Sequence, residues 1–151
     1  MKITIRNAKK EEAPLLNEFL TKLIHYEAEK YDENTSKTVE ISDFFERRFD
    51  SPAFTNLVAV VDDKIVGFLH AGSNMNGIKI NQEEKLHFMY IEDEYRHHGI
   101  GIKLIETYLK QAKKRGVKYV AVNHYVQNNE AEELYKKFGF EPLTMDRRVK
   151  L

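Results

Sequence analysis

The apolar residues of this chain change their spacing from segment to segment, and each spacing is typical of a strand or a helix. Ile3 and Ile5 alternate with polar neighbours, which predicts a short first strand. Across residues 11–29 the apolar side chains recur at helical intervals, so one face of a helix is apolar. Pro14 falls in the first turn of that helix, where a missing N–H costs little. The chain is therefore expected to open with a strand and a long helix.

The middle of the chain predicts a short helix and a hairpin. Apolar residues within 41–49 favour the helix, which is expected to stop near Pro52. Segments 55–61 and 64–71 are rich in strand-forming residues and flank the turn at 62–63. Two such segments around a short turn indicate a β-hairpin.

Glycines punctuate the second half of the chain. After a predicted loop over residues 74–82, the continuous apolar run 86–91 indicates a buried strand. Helical spacing follows Gly101 as far as residue 115, and Gly116 is placed to end that helix. The remaining segments are predicted as a strand over 117–125, a helix over 130–138 and an extended end over 140–151.

The predicted order of elements is β-α-α-β-β-β-α-β-α-β. A helix joins segment 86–91 to segment 117–125, which implies that these two strands pair in parallel through a right-handed crossover. Neither a repeat nor a linker interrupts the order. We therefore expect a single domain over residues 1–151 of the α/β (α+β) class.

Composition and charge exclude several classes of protein. A chain of 151 residues, 42% of them hydrophobic, suits one globular domain. Lys plus Arg and Asp plus Glu number 24 each, so no net field favours nucleic acid or a membrane. Cysteine is absent, which excludes disulfides and thiolate metal sites. Residues 1–7 are too polar for a signal peptide. We expect a cytoplasmic protein without a metal ion.

The strongest chemical signal is the segment Arg-His-His-Gly-Ile-Gly at residues 96–101, between a predicted strand and a long helix. The first turn of a helix has unpaired N–H groups and a positive partial charge, and glycines let a phosphate approach the backbone. The phosphate-loop and dinucleotide patterns do not fit, because no hydroxyl residue follows Lys103 and Leu104 replaces the third glycine. On spacing alone, a plain turn is the alternative.

A second signal lies in the predicted helix over 130–138. Four of its residues share one face: Ala131, Leu134, Tyr135 and Phe138. On spacing alone, an ordinary amphipathic helix with Tyr135 in the core is the simpler interpretation.

Together the two segments resemble the signature of the GNAT superfamily of N-acetyltransferases. That signature is Arg/Gln-x-x-Gly-x-Gly/Ala after a strand, then Asn-x-x-Ala, then Leu-Tyr-x-x-x-Gly-Phe. The chain supplies its residues in order as Arg96, Gly99, Gly101, Asn128, Ala131, Leu134, Tyr135, Gly139 and Phe140. The resemblance implies a mixed central sheet of about six to seven strands flanked by four helices, with splayed fourth and fifth strands. The chain departs from the family pattern at Asp93, where the family often has proline.

The resemblance also implies that the chain binds acetyl-CoA as cosubstrate. Loop N–H groups would hold the pyrophosphate, and the main chain of the preceding strand would hold the pantetheine arm and face the thioester oxygen. The implied cofactor-binding residues are Met89, Tyr90, Ile91, Arg96, His97, His98, Gly99, Ile100, Gly101, Ile102 and Asn128. Arg96 would add charge near the phosphates or anchor the turn. Asn128 would contact the pantetheine, cap its helix, or do both.

The implied reaction is direct attack of a primary amine on the thioester through a tetrahedral intermediate. An amine with a pKa of about 10.4 must first lose a proton. By resemblance Tyr135 is the general acid for the leaving thiolate. His87 is the candidate base, since an imidazole suits that role and alternation puts it on one strand face with Met89 and Ile91. A histidine satisfied by a carbonyl is the alternative.

Other residues are weaker candidates for the base: Glu83, Glu84 and His124. The acceptor pocket implied by the resemblance is built from residues 23–50 and 73–84, which are rich in carboxylates and aromatic rings. Such a wall suits a small-molecule or peptide amine that is cationic, and solvated surface charge is the alternative. A non-catalytic acyl-CoA-binding sensor or interaction domain is the alternative function. Homodimerisation is left open, with residues 143–151 as a candidate edge.

Overall fold

A mixed sheet organises the chain in the computed structural model, which describes residues 1–74 and 77–151. Its five strands are β1 (Ile3–Asn7), β2 (Phe54–Val61), β3 (Lys64–Ser73), β4 (Glu83–Ile91) and β5 (Tyr119–Val122). They lie side by side in chain order. β1 to β4 are antiparallel neighbours, whereas β4 and β5 are parallel. The predicted hairpin and the predicted parallel pair are both confirmed.

Three α-helices pack on the sheet within these residues: α1 (Ala13–Lys30), α2 (Ile100–Lys114) and α3 (Asn129–Lys137). Pro14 stands in the first turn of α1. Gly116 follows α2 with φ of +84°, a conformation that glycine adopts without strain. The Oδ1 of Asn128 accepts the N–H of Ala131 at 3.1 Å and so caps α3. None of the described helices is long and apolar enough to cross a lipid bilayer.

Each face of the sheet carries its own core. On one face α1 buries Phe19 against Phe68 and Tyr90. On the other face α2 buries Leu104 and Tyr108 against the strands. Both cores extend to β4, so this strand is fixed from its two sides.

The predicted second helix is absent, because residues 43–50 form turns. The side chain of Asn17 bonds there to the backbone, donating to the carbonyl of Ser42 at 3.0 Å and accepting the N–H of Phe45 at 3.2 Å. These bonds hold the segment to α1, and Phe45 is fully buried. Apolar spacing identified a buried segment but not its backbone conformation.

The end of the chain also differs from the prediction. Residues 140–151 form no strand of the described sheet, so the strands number five rather than six or seven and the α-helices three rather than four. Leu143 and Val149 are exposed. Arg148 instead ties the segment to Asp32 through an ion pair of 2.9 Å. The predicted loop over 74–82 includes residues 75 and 76, which lie outside the described residues.

Candidate active site

Strands β4 and β5 separate part way along their length. Residues 83–86 of β4 lie opposite Tyr119–Val122, and the pairing ends there. β4 continues to Ile91 paired with β3, where Gly67 stands opposite Ile91. The other edge of β4 therefore presents main-chain groups that lack a strand partner within the described sheet. The predicted splay of these two strands is confirmed.

A β-bulge marks the point where the strands separate. In the ladder between β3 and β4, Ala71 pairs with Leu86 and His70 pairs with Phe88. His87 is the extra residue between these pairs, so the alternation of side chains is reset. Its ring lies 5.8 Å from the ring of His70.

The bulge corrects the predicted orientation of His87. Met89 and Ile91 pack into the core under α2. The ring of His87 contacts instead Phe88 and Phe54 beside His70, and Phe88 packs into the core under α1. Strict alternation was wrong here because one extra residue moves the following side chains to the opposite faces.

The imidazole of His87 has one free nitrogen. Its Nε2 is buried without a hydrogen-bond partner among the described residues. Burial lowers the pKa of His87, and the nearby Lys85 lowers it further, while a hydrogen bond with the backbone of Ser73 opposes them. The ring is therefore neutral at pH 7, with one nitrogen able to take a proton.

A pocket lies at the mouth of the gap and is lined by α1, β4, α3 and the segment that follows β5. Its walls are formed by Leu23, Tyr26, Glu27, Tyr31, Leu86, His87, Phe88, Met89, Val122, Asn123, His124, Tyr125, Asn128, Ala131 and Tyr135. The structure thus brings His87 and Met89 of β4 to one cavity with Tyr135 of α3 and its N-cap Asn128.

Tyr135 is positioned by α3 on the pocket wall. Its ring packs 5.6 Å from Phe140 and 5.8 Å from His124, and only 8% of the residue is exposed. Its hydroxyl has no hydrogen-bond partner among the residues that the structure describes. Burial and then the charge of Glu27 raise the pKa of Tyr135 to about 12. The phenol is therefore protonated at neutral pH and free to donate.

His124 is held firmly beside that phenol. Its Nδ1 lies 2.9 Å from the carbonyl oxygen of Tyr125, and its Nε2 lies 2.8 Å from Oε2 of Glu132. Both ring nitrogens are therefore within hydrogen-bond distance of another group. This arrangement leaves His124 without a free nitrogen for a substrate proton.

Glu27 reaches the pocket from α1. It stands four residues after Leu23, so both side chains lie on the same helical face and line the cavity. The sequence shows Glu27 only as one of many acidic residues before β2. Its spacing of four residues from Leu23, on the apolar face of α1, was the available sign that it lies in the pocket. Tyr125 follows β5 and stacks on Tyr31 with ring centres 5.2 Å apart, a contact with no sequence signal.

The glycine loop before α2 exposes a row of N–H groups. Those of Gly99, Ile100, Gly101 and Ile102 have no acceptor in the described part of the chain, and the first helical bond runs from the N–H of Lys103 to Gly99. Gly99 has φ of +81°, and a Cβ added there would meet nothing within 4 Å. His97 also has a positive φ, +64°. This arrangement suits an anion.

Gly101 occupies a different position from Gly99. An added Cβ would lie 3.6–3.7 Å from side chains of Ile91, Leu134 and Met89. These residues border the gap between β4 and α3, so the missing side chain widens the gap rather than clearing the loop surface.

Arg96 anchors the turn that precedes the loop. Its Nε donates to the carbonyl of Ile91 at 2.9 Å, and its Nη1 pairs with Asp93 at 3.0 Å. The guanidinium also lies over the rings of Tyr26 and Tyr90. Of the two roles considered for Arg96, these contacts favour anchoring. His98 stays at the exposed surface, with Nδ1 3.3 Å from the carbonyl of Tyr95.

The two acids at the start of β4 have partners of their own. Glu84 accepts from the hydroxyl of Tyr108 at 2.8 Å and from Arg115 at 2.7 Å. Glu83 accepts from the amide of Asn74 at 2.6 Å. Within residues 1–74 and 77–151, no group of three or more metal-ligating side chains is close enough to hold a metal ion.

Comparison with known sequences and structures points to one family. Residues 20–140 match the family described as the acetyltransferase (GNAT) family. An uncharacterized N-acetyltransferase of Methanocaldococcus jannaschii is 35% identical over 85 residues, which are 56% of this chain. The match spans 38% of the length of that relative.

Solved structures share the whole architecture. A mutant protein of Bacillus halodurans aligns over 98% of this chain and 99% of its own, with a TM-score of 0.84 and 16% identity. The aminoglycoside acetyltransferase AAC(6')-Iy, solved with a CoA-containing bisubstrate analogue, aligns over 100% of both chains. Its TM-score is 0.75 at 16% identity. These similarities establish the fold.

Proposed function

The chain belongs to the acetyltransferase (GNAT) family, and we propose that it transfers the acetyl group of acetyl-CoA to a primary amine. The observation that supports this proposal most directly is the continuity of three features. Free loop N–H groups lead to an unpaired edge of β4, and that edge leads to the free hydroxyl of Tyr135. A long acyl donor with a phosphate at one end and a thioester at the other fits this order.

The residues around the loop fit a pyrophosphate. The N–H groups of Gly99 to Ile102 lie at the start of a 15-residue helix, where the helix dipole favours negative charge. His97 and His98 contribute their backbone there, and Arg96 holds the turn in place. Met89, Tyr90 and Ile91 offer main-chain groups to the pantetheine arm. Asn128 caps α3 and lines the same pocket.

Tyr135 is the proposed general acid. When the carbon–nitrogen bond forms and the carbon–sulfur bond breaks, the departing sulfur needs a proton. A phenol whose pKa is raised to about 12 keeps its proton at pH 7 and can give it at that moment. Such an acid contributes roughly 10²–10⁴ in rate.

His87 remains our sequence-based prediction for the base that takes the amine proton. Its neutral ring and its unpartnered Nε2 support the assignment. A non-catalytic acyl-CoA sensor is the alternative function. In that case the complex of the protein with acyl-CoA would show no turnover with any amine, and Tyr135 would serve as a core residue.

Isothermal titration with acetyl-CoA tests the cofactor assignment. Wild type is expected to bind in the micromolar range, about −8 kcal/mol, and Gly99→Glu is expected to lose binding because it brings a carboxylate to the phosphate position. Gly116→Glu is the matched control, since Gly116 has the same open surroundings and a φ of +84° at the other end of α2. Equal loss in both variants, or no binding by wild type, would contradict the proposal.

A further inference from the structure

The carboxylate of Glu27 has no partner in the part of the chain that the structure describes. Neither a hydrogen bond nor an ion pair with another described residue reaches it, although it is partly buried on the pocket wall. Burial alone raises the pKa of Glu27, with no compensating donor. Buried acids are normally paired, so an unpaired one in a cavity calls for a ligand of opposite charge.

The other acids near the pocket already have partners. Asp32 is paired with Arg148 at 2.9 Å, and Glu132 lies 2.8 Å from the imidazole of His124. Glu27 therefore differs from its acidic neighbours by being available. A metal ion does not fit, because one carboxylate provides too few ligands.

Tyrosine rings complete the surroundings of Glu27. Tyr26 and Tyr31 meet edge to face at 6.0 Å, and Tyr31 stacks on Tyr125 at 5.2 Å. Tyr135 lies on α3 at the same pocket, and the charge of Glu27 helps to raise the pKa of its phenol. Aromatic faces attract cations, and together with a carboxylate they form a site that suits a protonated amine.

We propose that Glu27 binds the protonated amino group of the acceptor, so that the acceptor enters the pocket as a cation. This inference rests on the proposed function, because it concerns the amine that would receive the acetyl group. The carboxylate holds the ammonium group in the cavity that Tyr135 also lines. The later loss of the ammonium proton is a separate step, for which His87 stays the prediction.

Amine binding without acetyl-CoA tests the site directly. Putrescine and glucosamine are the probes, and butanediol and glucose are their uncharged counterparts. Calorimetry is expected to show binding of at least one amine and of neither uncharged compound. Glu27→Gln keeps the shape and removes the charge, so it should weaken amine binding roughly 10- to 100-fold.

Glu29→Gln is the matched control. Glu29 lies on the same helix but is exposed and does not line the pocket, so its amine affinity should equal that of wild type. The ammonium site is wrong if Glu27→Gln binds the amines as wild type does, if the uncharged compounds bind equally well, or if wild type binds no probe.

Titration of the same proteins with acetyl-CoA separates this inference from the proposed function. Wild type and Glu27→Gln should bind acetyl-CoA alike, because Glu27 lies on α1 and is not among the residues proposed to hold the cofactor. Amine binding through Glu27 without acetyl-CoA binding would overturn the proposed function and leave the cation site standing. Turnover that is unchanged in Glu27→Gln would overturn the cation site alone.

Discussion

Glu27 on α1 and Tyr135 on α3 face one pocket, and the negative charge of the carboxylate adds to burial in raising the pKa of the phenol to about 12. The two groups therefore have different roles in the proposed reaction. The ionised carboxylate attracts a cation, and its field keeps the proton on the tyrosine. The arrangement explains why an acid and a phenol with different roles can share a small cavity.

Replacement of Tyr135 by phenylalanine should lower kcat by roughly 10²–10⁴ with acetyl-CoA affinity retained. The ring still fills its place beside His124 and Phe140, and only the proton donor is lost. Release of free thiol from acetyl-CoA in the presence of an accepted amine measures the effect. Because the pKa of Tyr135 is about 12, its proton is not lost between pH 7 and pH 9, so it causes no fall in wild-type rate there.

Tyr119→Phe is the control for that experiment. Tyr119 lies on β5 with 60% of its surface exposed and outside the pocket. Its variant should keep the wild-type rate. If Tyr135→Phe also keeps it, Tyr135 is a core residue and not the general acid.

Glu27→Gln should stabilise the protein at neutral pH. The folded-state pKa of Glu27 is raised above its unfolded value, so the protonated form is favoured by folding. The loss of folding stability caused by ionising Glu27 is absent below the ordinary carboxyl pKa. It grows between that pKa and the raised folded pKa, and it is fully present above the folded pKa. The variant should therefore melt above wild type at pH 7, and this difference should disappear near pH 4. Thermal melting across this range measures it.

Glu29→Gln should melt with wild type at every pH, because Glu29 is exposed. A Glu27→Gln protein that melts below wild type at pH 7 would show that the carboxylate stabilises the fold. The cation site would then lose its physical argument.

Local sequence signals predicted the elements that depend on neighbouring residues. Gly99 before α2 and Gly101 in its first turn indicated the loop, and Asn128 indicated the start of α3, because both signals act within one helical turn. The hairpin of β2 and β3 followed from its turn in the same way. These parts needed no knowledge of tertiary contacts.

The sequence-based predictions that failed concern features that depend on contacts between distant residues. The bulge at His87 arises from pairing with β3, and alternation along β4 alone cannot reveal it. The turns at 43–50 depend on the side chain of Asn17, which lies on α1. Glu27 became distinct only after the structure showed which of its acidic neighbours have partners.

Alanine at Gly101 and alanine at Gly116 should have opposite effects on stability. Gly101 lies inside α2, and its Cβ would make ordinary contacts at 3.6–3.7 Å, so the variant should gain about 0.5–1 kcal/mol from lower unfolded-state entropy. Gly116 has φ of +84°, where a Cβ costs about 1–2 kcal/mol. Urea unfolding measures both changes. A loss of stability in Gly101→Ala would show that the gap beside Ile91 and Leu134 tolerates no added carbon.

Replacement of Tyr108 by phenylalanine should destabilise the protein by about 1–3 kcal/mol, because buried Glu84 would lose one of its two hydrogen-bond donors. Tyr108 is fully buried, and its ring remains in the variant, so packing is preserved. Urea unfolding measures the loss, with Tyr119→Phe as the exposed control. This change also tests the role of Glu84, which the sequence left open as a distant base. If Glu84 only supports the fold, turnover per folded molecule should stay at the wild-type value, whereas a changed pH–rate profile would place Glu84 in the proton path.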